Sequence, residues 1–317
     1  MPTHNRGRVL GALVPIVAVA LAACGTTTAK VSSTPVTPNK TTTALRPVSL
    51  NGVTLTALVA TPLETTFSGA LVNLAHLYPH LKVAVTASTA TSMDLASLEH
   101  SADLRLFSVN PGRTLIAQIG GVESVPIGTS TLYVSADLAT SRPITLTSAI
   151  LIGIIEGSIT NWNNSLIATA NPRVILPNLA ITMNPLSHSG QRAAIITHKL
   201  AVLPANFGAA YSNHCATTPG CIDFSLNAPS LPLPIDSLGG HPNLPSSNLY
   251  PLVTSQLAVI TIDSAHPRRE AAAVRLAELL VEDSNLPAST RTSELTNLRA
   301  LQDRLALTYY ASDPAAT

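Results

Sequence analysis

The order of strand-like and helix-like runs between residues 53 and 109 constrains the fold more than any other feature of this sequence. Three short apolar, strand-like runs alternate with two helix-like segments, and the first of these repeats its apolar residues at i, i+3, i+4 and i+7. The strand-like runs are 53–60, 81–86 and 104–109, and the helix-like segments are 67–78 and 92–100. Thr65 or Thr66 is expected to cap the first helix. We predict a β-α-β-α-β unit with a parallel sheet covered by helices.

The remainder of the chain continues the α/β pattern. Further helices are expected at 147–156, 190–203, 269–282 and 290–308, and further strands at 179–182, at 257–262 and from Leu132 onwards. Residues 229–251 are dense in Pro, Ser, Asn and Gly and are expected to be mostly loop.

Composition and the absence of known motifs argue against several classes of protein. Of the 317 residues, 46% are hydrophobic and 11% are charged, which excludes a disordered, charge-driven chain. The net charge is +1 and only 3% of residues are aromatic, so no nucleic-acid partner is expected. The sequence also lacks nucleophile-elbow, zinc-protease, phosphate-loop and dinucleotide-binding motifs. Neither an enzymatic activity nor a cofactor is therefore expected.

Residues 1–24 are predicted to be a secretion signal. Two arginines precede an apolar run at 9–23 that is too short to span a membrane comfortably. The segment ends in Leu-Ala-Ala-Cys24 and resembles the bacterial lipobox, which implies that Cys24 is lipidated and anchors the protein on the extracytoplasmic side of the cell membrane. An ordinary signal peptide with a chance cysteine is the alternative. Residues 25–47, rich in Thr, Ser and Pro, are expected to form a flexible stalk.

Two other cysteines, Cys215 and Cys221, have five residues between them. Outside the cytoplasm, such a pair is most simply a local disulfide that closes a small loop. A metal site that includes the neighbouring His214 is the rival interpretation. Neither the spacing nor a second Cys/His pair matches a zinc site, so a disulfide is favoured and no metal site is expected.

One segment carries a family resemblance. Residues 150–164 read Ile-Leu-Ile-Gly-Ile-Ile-Glu-Gly-Ser-Ile-Thr-Asn-Trp-Asn-Asn. This resembles the Phe-x-Gly-Lys-Ile-Thr-x-Trp-Asn helix end of the phosphate-binding lipoproteins of bacterial phosphate ABC transporters. Matches in the same order are Thr66-Phe67, Asn171-Pro172, Leu176-Pro177, Ser189-Gly190 and Tyr250-Pro251-Leu252. The resemblance covers about residues 50–310, although only 157–163 is specific.

The resemblance implies a type II periplasmic-binding-protein fold, in which two α/β lobes are joined by two crossing strands and a ligand is held in the cleft. The first lobe would comprise 48–126 and 255–317, and the second lobe 127–254. Closure of the cleft would be a hinge motion, and a membrane permease would recognise the closed form. The implied function is capture of a small oxyanion, phosphate or a relative, for an ABC transporter.

The resemblance also places donors on the first side of the cleft. The family's first ligand-binding Thr corresponds to Thr66, and its serine at a helix start corresponds to Thr91 or Ser92. The family's Asp, which accepts the proton of hydrogen phosphate, corresponds to Asn110, whose amide both donates and accepts. A buried phosphate needs such a dense set of hydroxyls and helix N-terminal amides, usually with a guanidinium.

On the second side, the family's Arg-x-Asp-x-Ser-Gly-Thr loop corresponds to Pro-Leu-Ser-His-Ser-Gly-Gln at 185–191. Ser189 and Gly190 are retained, and Gln191 replaces the threonine. The alternative interpretation is that Ser189-Gly190 merely caps the following helix.

The family's arginine is replaced by Pro185 and its loop aspartate by Ser187. Loss of the fixed positive charge is expected to weaken a charge-assisted site. Either Arg192 or His188 would supply a replacement charge, or the ligand is no longer phosphate.

Trp162 and Asn163 are expected to be structural rather than ligand-binding.

A solute-binding lipoprotein is the primary functional hypothesis. The alternative is a degenerate surface lipoprotein that keeps the fold but binds a protein partner or no ligand.

Overall fold

The computed structural model describes residues 47–136, 138, 140, 144–213, 215–227, 235–237 and 250–312. The strands are β1 (Thr54–Ala60), β2 (Lys82–Ser88), β3 (Leu104–Phe107), β4 (Val122–Ala136), β5 (Ile144–Thr145), β6 (Thr182–Met183), β7 (Cys221–Ser225), β8 (Ile235–Ser237) and β9 (Tyr250–Thr261). The helices are α1 (Glu64–Leu77), α2 (Met93–Glu99), α3 (Gly112–Ile119), α4 (Ser148–Ile155), α5 (Ser165–Ala170), α6 (Gln191–Leu200), α7 (Pro267–Glu282) and α8 (Ala288–Ser312). The predicted signal segment, with Cys24, lies outside the described residues, as does almost all of the predicted stalk.

A seven-stranded sheet in the order β2-β1-β3-β9-β4-β7-β6 forms the centre of the fold. The predicted parallel arrangement is confirmed for β2, β1 and β3, and β6 is parallel to β7. The sheet as a whole is mixed, because β9 runs antiparallel to both β3 and β4. Strands β5 and β8 pair separately as a small parallel sheet.

The long strands β4 and β9 connect the two ends of the sheet. They pair antiparallel from Val122 opposite Thr261 to Val134 opposite Tyr250, with a shift in register between Pro126 and Gly128. Both strands were predicted shorter than they are. Strand β4 begins ten residues before the expected start at Leu132, because Val122–Thr131 alternates polar and apolar residues too weakly to be recognised without its partner.

Two large hydrophobic cores lie along this sheet. The first packs β1, β3 and the C-terminal end of β9 against α1, α7 and α8, with buried residues that include Leu55, Phe67, Leu104, Ile260, Leu276 and Leu298. The second packs the C-terminal half of β4 and β7 against α4 and α6, with buried residues that include Leu132, Ile154, Trp162, Ile195 and Phe224. A smaller cluster around Leu58, Met93 and Phe107 packs α2 and α3 on β1 and β3.

The segment that carries the family resemblance is a packed turn. The hydroxyl of Thr147 caps α4 by accepting the Ile150 N–H at 3.2 Å. Gly157 ends this region at φ +76°, and a Cβ atom there would lie 2.5 Å from the carbonyl oxygen of Gly208, so the position requires glycine. Trp162 is fully buried and its indole N–H donates to the Gly220 carbonyl at 2.7 Å. These contacts support the prediction that Trp162 is structural.

Several local predictions differ from the structure. Helix α1 begins at Glu64 after Leu63, without a side-chain cap, so neither Thr65 nor Thr66 caps it. Helix α3, helix α5 and strand β7 were not predicted, because each is short, with five to eight residues. Most of 229–251 lies outside the described residues. Within the described part of the chain, no helix is both long and apolar enough to cross a membrane.

Cys215 and Cys221, the pair expected to form a disulfide, are bonded to each other, with Cα atoms 5.2 Å apart. The bond closes a turn that leads directly into β7. His214, the residue that the metal interpretation needs, lies outside the described residues. Among the residues that the structure describes, no three His, Cys, Asp or Glu side chains group together as metal ligands.

Candidate functional site

The carboxyl ends of β1 and β2 bring together a group of hydroxyls. The Thr61 hydroxyl, just after β1, donates to the Ser88 carbonyl at 2.9 Å. The Ser88 and Ser92 hydroxyls are 3.3 Å apart, and the Ser92 N–H donates to the Thr89 hydroxyl at 3.3 Å. The Thr89 hydroxyl also contacts the hydroxyls of Thr91 and Ser92. The two predicted donors Thr91 and Ser92 therefore belong to one hydroxyl cluster at the edge of the parallel strands.

Asn110 follows β3 at the same edge of the sheet. Its backbone N–H donates to the Thr254 hydroxyl of β9 at 3.1 Å, and its side-chain oxygen accepts the Gly112 N–H at 2.9 Å. This residue corresponds to the family's proton-accepting Asp, and its amide was expected both to donate and to accept hydrogen bonds. The structure instead engages this oxygen in the turn that starts α3, which leaves the amide NH₂ group as the donor that Asn110 can offer.

A hydrogen-bonded node on β4 joins the start of α6 to the end of β3. The Ser130 hydroxyl donates to the Ser108 carbonyl at 2.7 Å and accepts from the side-chain amides of Gln191, at 2.8 Å, and Gln256, at 2.9 Å. Ser130 is only 4% exposed. Because Ser108 lies two residues before Asn110, the node brings the predicted donors Asn110 and Gln191 to the same region.

Two other predicted residues lie at the surface. Thr66 is exposed in the first turn of α1 and makes no hydrogen bond to the other predicted site residues that the structure describes. Ser189 is exposed, with its hydroxyl 3.5 Å from that of Ser187. Gly190 is the N-cap of α6, and no side-chain hydrogen bond caps this helix. The Ser189 hydroxyl therefore does not serve as a helix cap.

Either Arg192 or His188 was expected to supply a replacement charge, unless the ligand is no longer phosphate, and in the structure Arg192 has partners within the protein. Its guanidinium donates to the Phe224 carbonyl at 3.1 Å and to the Pro185 carbonyl at 2.8 Å, so it holds the loop before α6 against β7. Burial raises the pKa of the neighbouring Asp223, and the charge of Arg192 opposes that rise. His188, the other candidate cation, stacks its ring on Phe207 at a centroid distance of 5.8 Å. Both residues thus have structural partners.

An ion pair connects α2 to α6. The Nε2 atom of His198 lies 3.3 Å from the Oδ2 atom of Asp94. Burial raises the pKa of Asp94, and the charge of His198 opposes that rise. The pair joins a helix of the predicted first lobe to a helix of the predicted second lobe, and sequence reasoning gave it no role.

Beside this ion pair lies a pocket of about 280 Å³. It is lined by Asn110, Gly112, His198, Lys199, Val253, Thr254 and Ser255. Asn110 is the one predicted site residue in the pocket. Sequence reasoning missed Lys199 because a lysine in the last turn of a helix is ordinarily explained by the helix dipole. It missed Thr254 and Ser255 because they lie on the part of β9 that was not predicted as strand.

Comparison with known proteins supports the fold. No protein-family model and no curated protein matches the sequence. Among solved structures, an ABC-type phosphate transport receptor from Vibrio cholerae matches with a TM-score of 0.52 and 15% identity, over 72% of this chain and 97% of that one. A possible phosphate binding protein from Planctomyces limnophilus DSM 3776 matches with a TM-score of 0.54 and 12% identity, over 79% of this chain and 99% of that one.

The chain therefore has the α/β, type II periplasmic-binding-protein fold, and the predicted fold class is confirmed. One of these structural neighbours is described as a phosphate transport receptor and the other as a possible phosphate binding protein. At these identities the likeness establishes the fold, and function has to be argued from the site.

Proposed function

We propose that this protein is an extracytoplasmic solute-binding lipoprotein that captures a small oxyanion, phosphate or a relative, between two lobes and delivers it to an ABC-transporter permease. The observation that carries the proposal is the Ser130 node, which holds Gln191 at the start of α6 beside the end of β3 and thus near Asn110. Donors from both predicted lobes converge there on the long strands β4 and β9. Solute-binding proteins of this fold hold their ligand between two such sets of donors.

The chemistry of the donors suits an anion held mainly by neutral groups. Thr91 and Ser92 offer hydroxyls, and Asn110 offers its amide. The first turn of the ten-residue helix α6, which follows Ser189 and Gly190, offers backbone N–H groups, whereas the N–H of Gly190 itself donates to the Ser187 carbonyl at 3.3 Å. A neutral hydrogen bond contributes roughly 0.5–1.5 kcal/mol and a charge-assisted one about 1.5–3 kcal/mol. Without the arginine of the 185–191 loop, we expect these groups to bind phosphate weakly.

Two further parts of the proposal concern partners and location. Cys24 would carry the lipid that holds the protein at the outer face of the cell membrane, on the stalk of residues 25–47. The lobes 48–126 with 255–317 and 127–254 would close about β4 and β9 on the ligand, and the permease would recognise the closed form. The names of the two structural neighbours, both linked to phosphate, support this assignment of ligand and transporter.

The test is calorimetric titration of the purified full-length mature protein in detergent with phosphate and with sulfate. We expect binding of at least one of these anions, and Ser189→Trp should abolish it by filling the loop at the start of α6. Ser293→Trp, at an exposed position on α8, is the matched control and should bind as the wild type does.

Submicromolar phosphate binding that survives Ser189→Trp would show that the site is elsewhere. Absence of binding to any oxyanion would favour the degenerate surface lipoprotein over a transport component.

A further inference from the structure

The pocket beside the His198–Asp94 pair carries the positive charge of Lys199. The described residues that line it include two basic ones, His198 and Lys199, and no carboxylate. Its volume of about 280 Å³ is close to the lower limit of about 300 Å³ for small-molecule sites. Three structural elements build it, namely the turn after β3, the last turn of α6 and the middle of β9.

Lys199 provides a positive charge that has no counter-ion among the described residues. It is exposed, and no carboxylate in the described part of the chain pairs with it. Asp94, which pairs with the neighbouring His198, is engaged by that residue. The carbonyl end of α6 carries only about half a negative elementary charge, so the full charge of the ammonium dominates. A lysine ammonium binds phosphate and other oxyanions as a point charge.

The hydroxyls of β9 add donors next to this charge. Thr254 is 4% exposed, and its oxygen accepts the Asn110 N–H at 3.1 Å. A hydroxyl also has one proton to donate, and no acceptor for the Thr254 proton is found among the described residues. Ser255 lines the same pocket, and its hydroxyl makes no hydrogen bond to the residues that the structure describes. A buried O–H group without an acceptor is costly, and an anion would satisfy it.

We propose that Lys199, Thr254 and Ser255 form an oxyanion subsite in which Lys199 supplies the positive charge that the 185–191 loop lacks. The inference rests on the proposed function and specifies its site, because it assigns the charged contact to the end of α6 instead of its start. An anion here would bridge α6 to β9 and to the turn at Asn110. It would thereby join elements of both predicted lobes.

The first experiment measures affinity with inorganic phosphate and with sulfate, using the full-length mature protein in detergent. Lys199→Gln should weaken binding roughly ten- to hundredfold, as expected for loss of a charge-assisted hydrogen bond. Ser255→Ala should weaken it roughly two- to tenfold, as expected for a neutral one. Lys82→Gln is the matched control, since Lys82 is exposed at the first residue of β2 and does not line the pocket; this variant should bind as the wild type does.

The second experiment measures whether a bound anion protects Lys199 from chemical modification. Amine acylation of the wild-type protein, followed by peptide mass spectrometry, should show that saturating phosphate or sulfate slows modification of Lys199 and not of Lys82. Binding with unchanged affinity in Lys199→Gln, or equal labelling of Lys199 with and without the bound anion, would overturn this subsite and leave the proposed function intact. Absence of oxyanion binding to the wild type would overturn both.

Discussion

Replacing Ser130 with alanine tests whether the node on β4 holds the start of α6 against β3. The substitution removes one hydroxyl that donates to the Ser108 carbonyl and accepts from the amides of Gln191 and Gln256. It removes no apolar contact of consequence, because only an oxygen atom is lost. The effect on the free energy of unfolding therefore reports on the three hydrogen bonds.

The magnitude follows from which groups lose a partner. Ser108 is 1% exposed, so water cannot replace the partner of its carbonyl, and an unpaired buried group costs about 1–3 kcal/mol. The amides of Gln191 and Gln256 belong to half-buried residues and recover part of their loss through water. We therefore expect Ser130→Ala to lower the free energy of unfolding by about 2–4 kcal/mol.

Urea unfolding followed by far-UV circular dichroism measures this difference. Ser124→Ala is the matched control, since Ser124 is exposed on the same strand and makes no side-chain hydrogen bond to the described residues; it should change stability by no more than about 0.5 kcal/mol. If Ser130→Ala is as stable as Ser124→Ala, the node does not hold these elements together, and the reasoning that brings Asn110 and Gln191 together fails.

Four other outcomes are expected. Trp162→Phe leaves a buried carbonyl without its donor and creates a void, so it should cost about 2–4 kcal/mol in urea unfolding without changing oxyanion affinity; lost affinity in a folded variant would give the indole a role in binding. Burial is the largest influence on the pKa of Glu270 and raises it, so stability should fall as the pH rises from the free-glutamate pKa toward the raised folded value. Glu270→Gln should remove that fall when unfolding is measured between about pH 4 and pH 7, and an unchanged pH profile would contradict the assignment. Cys24→Ala should release the protein from membranes or leave its precursor uncleaved, whereas wild-type fractionation and maturation would refute the lipid anchor. Cys215 and Cys221 should resist alkylation under non-reducing conditions, and mass spectrometry that finds two free thiols would contradict the disulfide.

Much of the fold was predictable because local sequence patterns determine it. The alternation of strand and helix from Thr54 to Phe107 follows from apolar runs and helical periodicity, which depend on neighbouring residues alone. The same holds for α4, whose start at the Thr147 cap and whose end before Gly157 are both visible in the sequence. The α/β class was therefore accessible from local pattern, whereas the type II fold and the structural role of Trp162 were expected from the family resemblance.

The position of β9 was not accessible in this way. It lies between β3 and β4, and it pairs with residues that are far away in the chain, such as Thr261 with Val122. No local pattern records such a pairing, because its free energy comes from contacts that exist only after the chain has folded. The same pairing places Thr254 and Ser255 in the pocket.

For the charged residues near the site, the sequence determined one part and the tertiary structure the other. The sequence alone determined that the 185–191 loop has no arginine, and hence that a positive charge has to come from elsewhere if an anion binds tightly. Only the tertiary structure decided which cation is available. Arg192, next to the loop, is bound to two backbone carbonyls. Lys199, two turns later on α6, lines the pocket beside β9 and has no counter-ion in the described part of the chain. A side chain's charge is a property of the sequence, but its partners depend on how helices and strands pack.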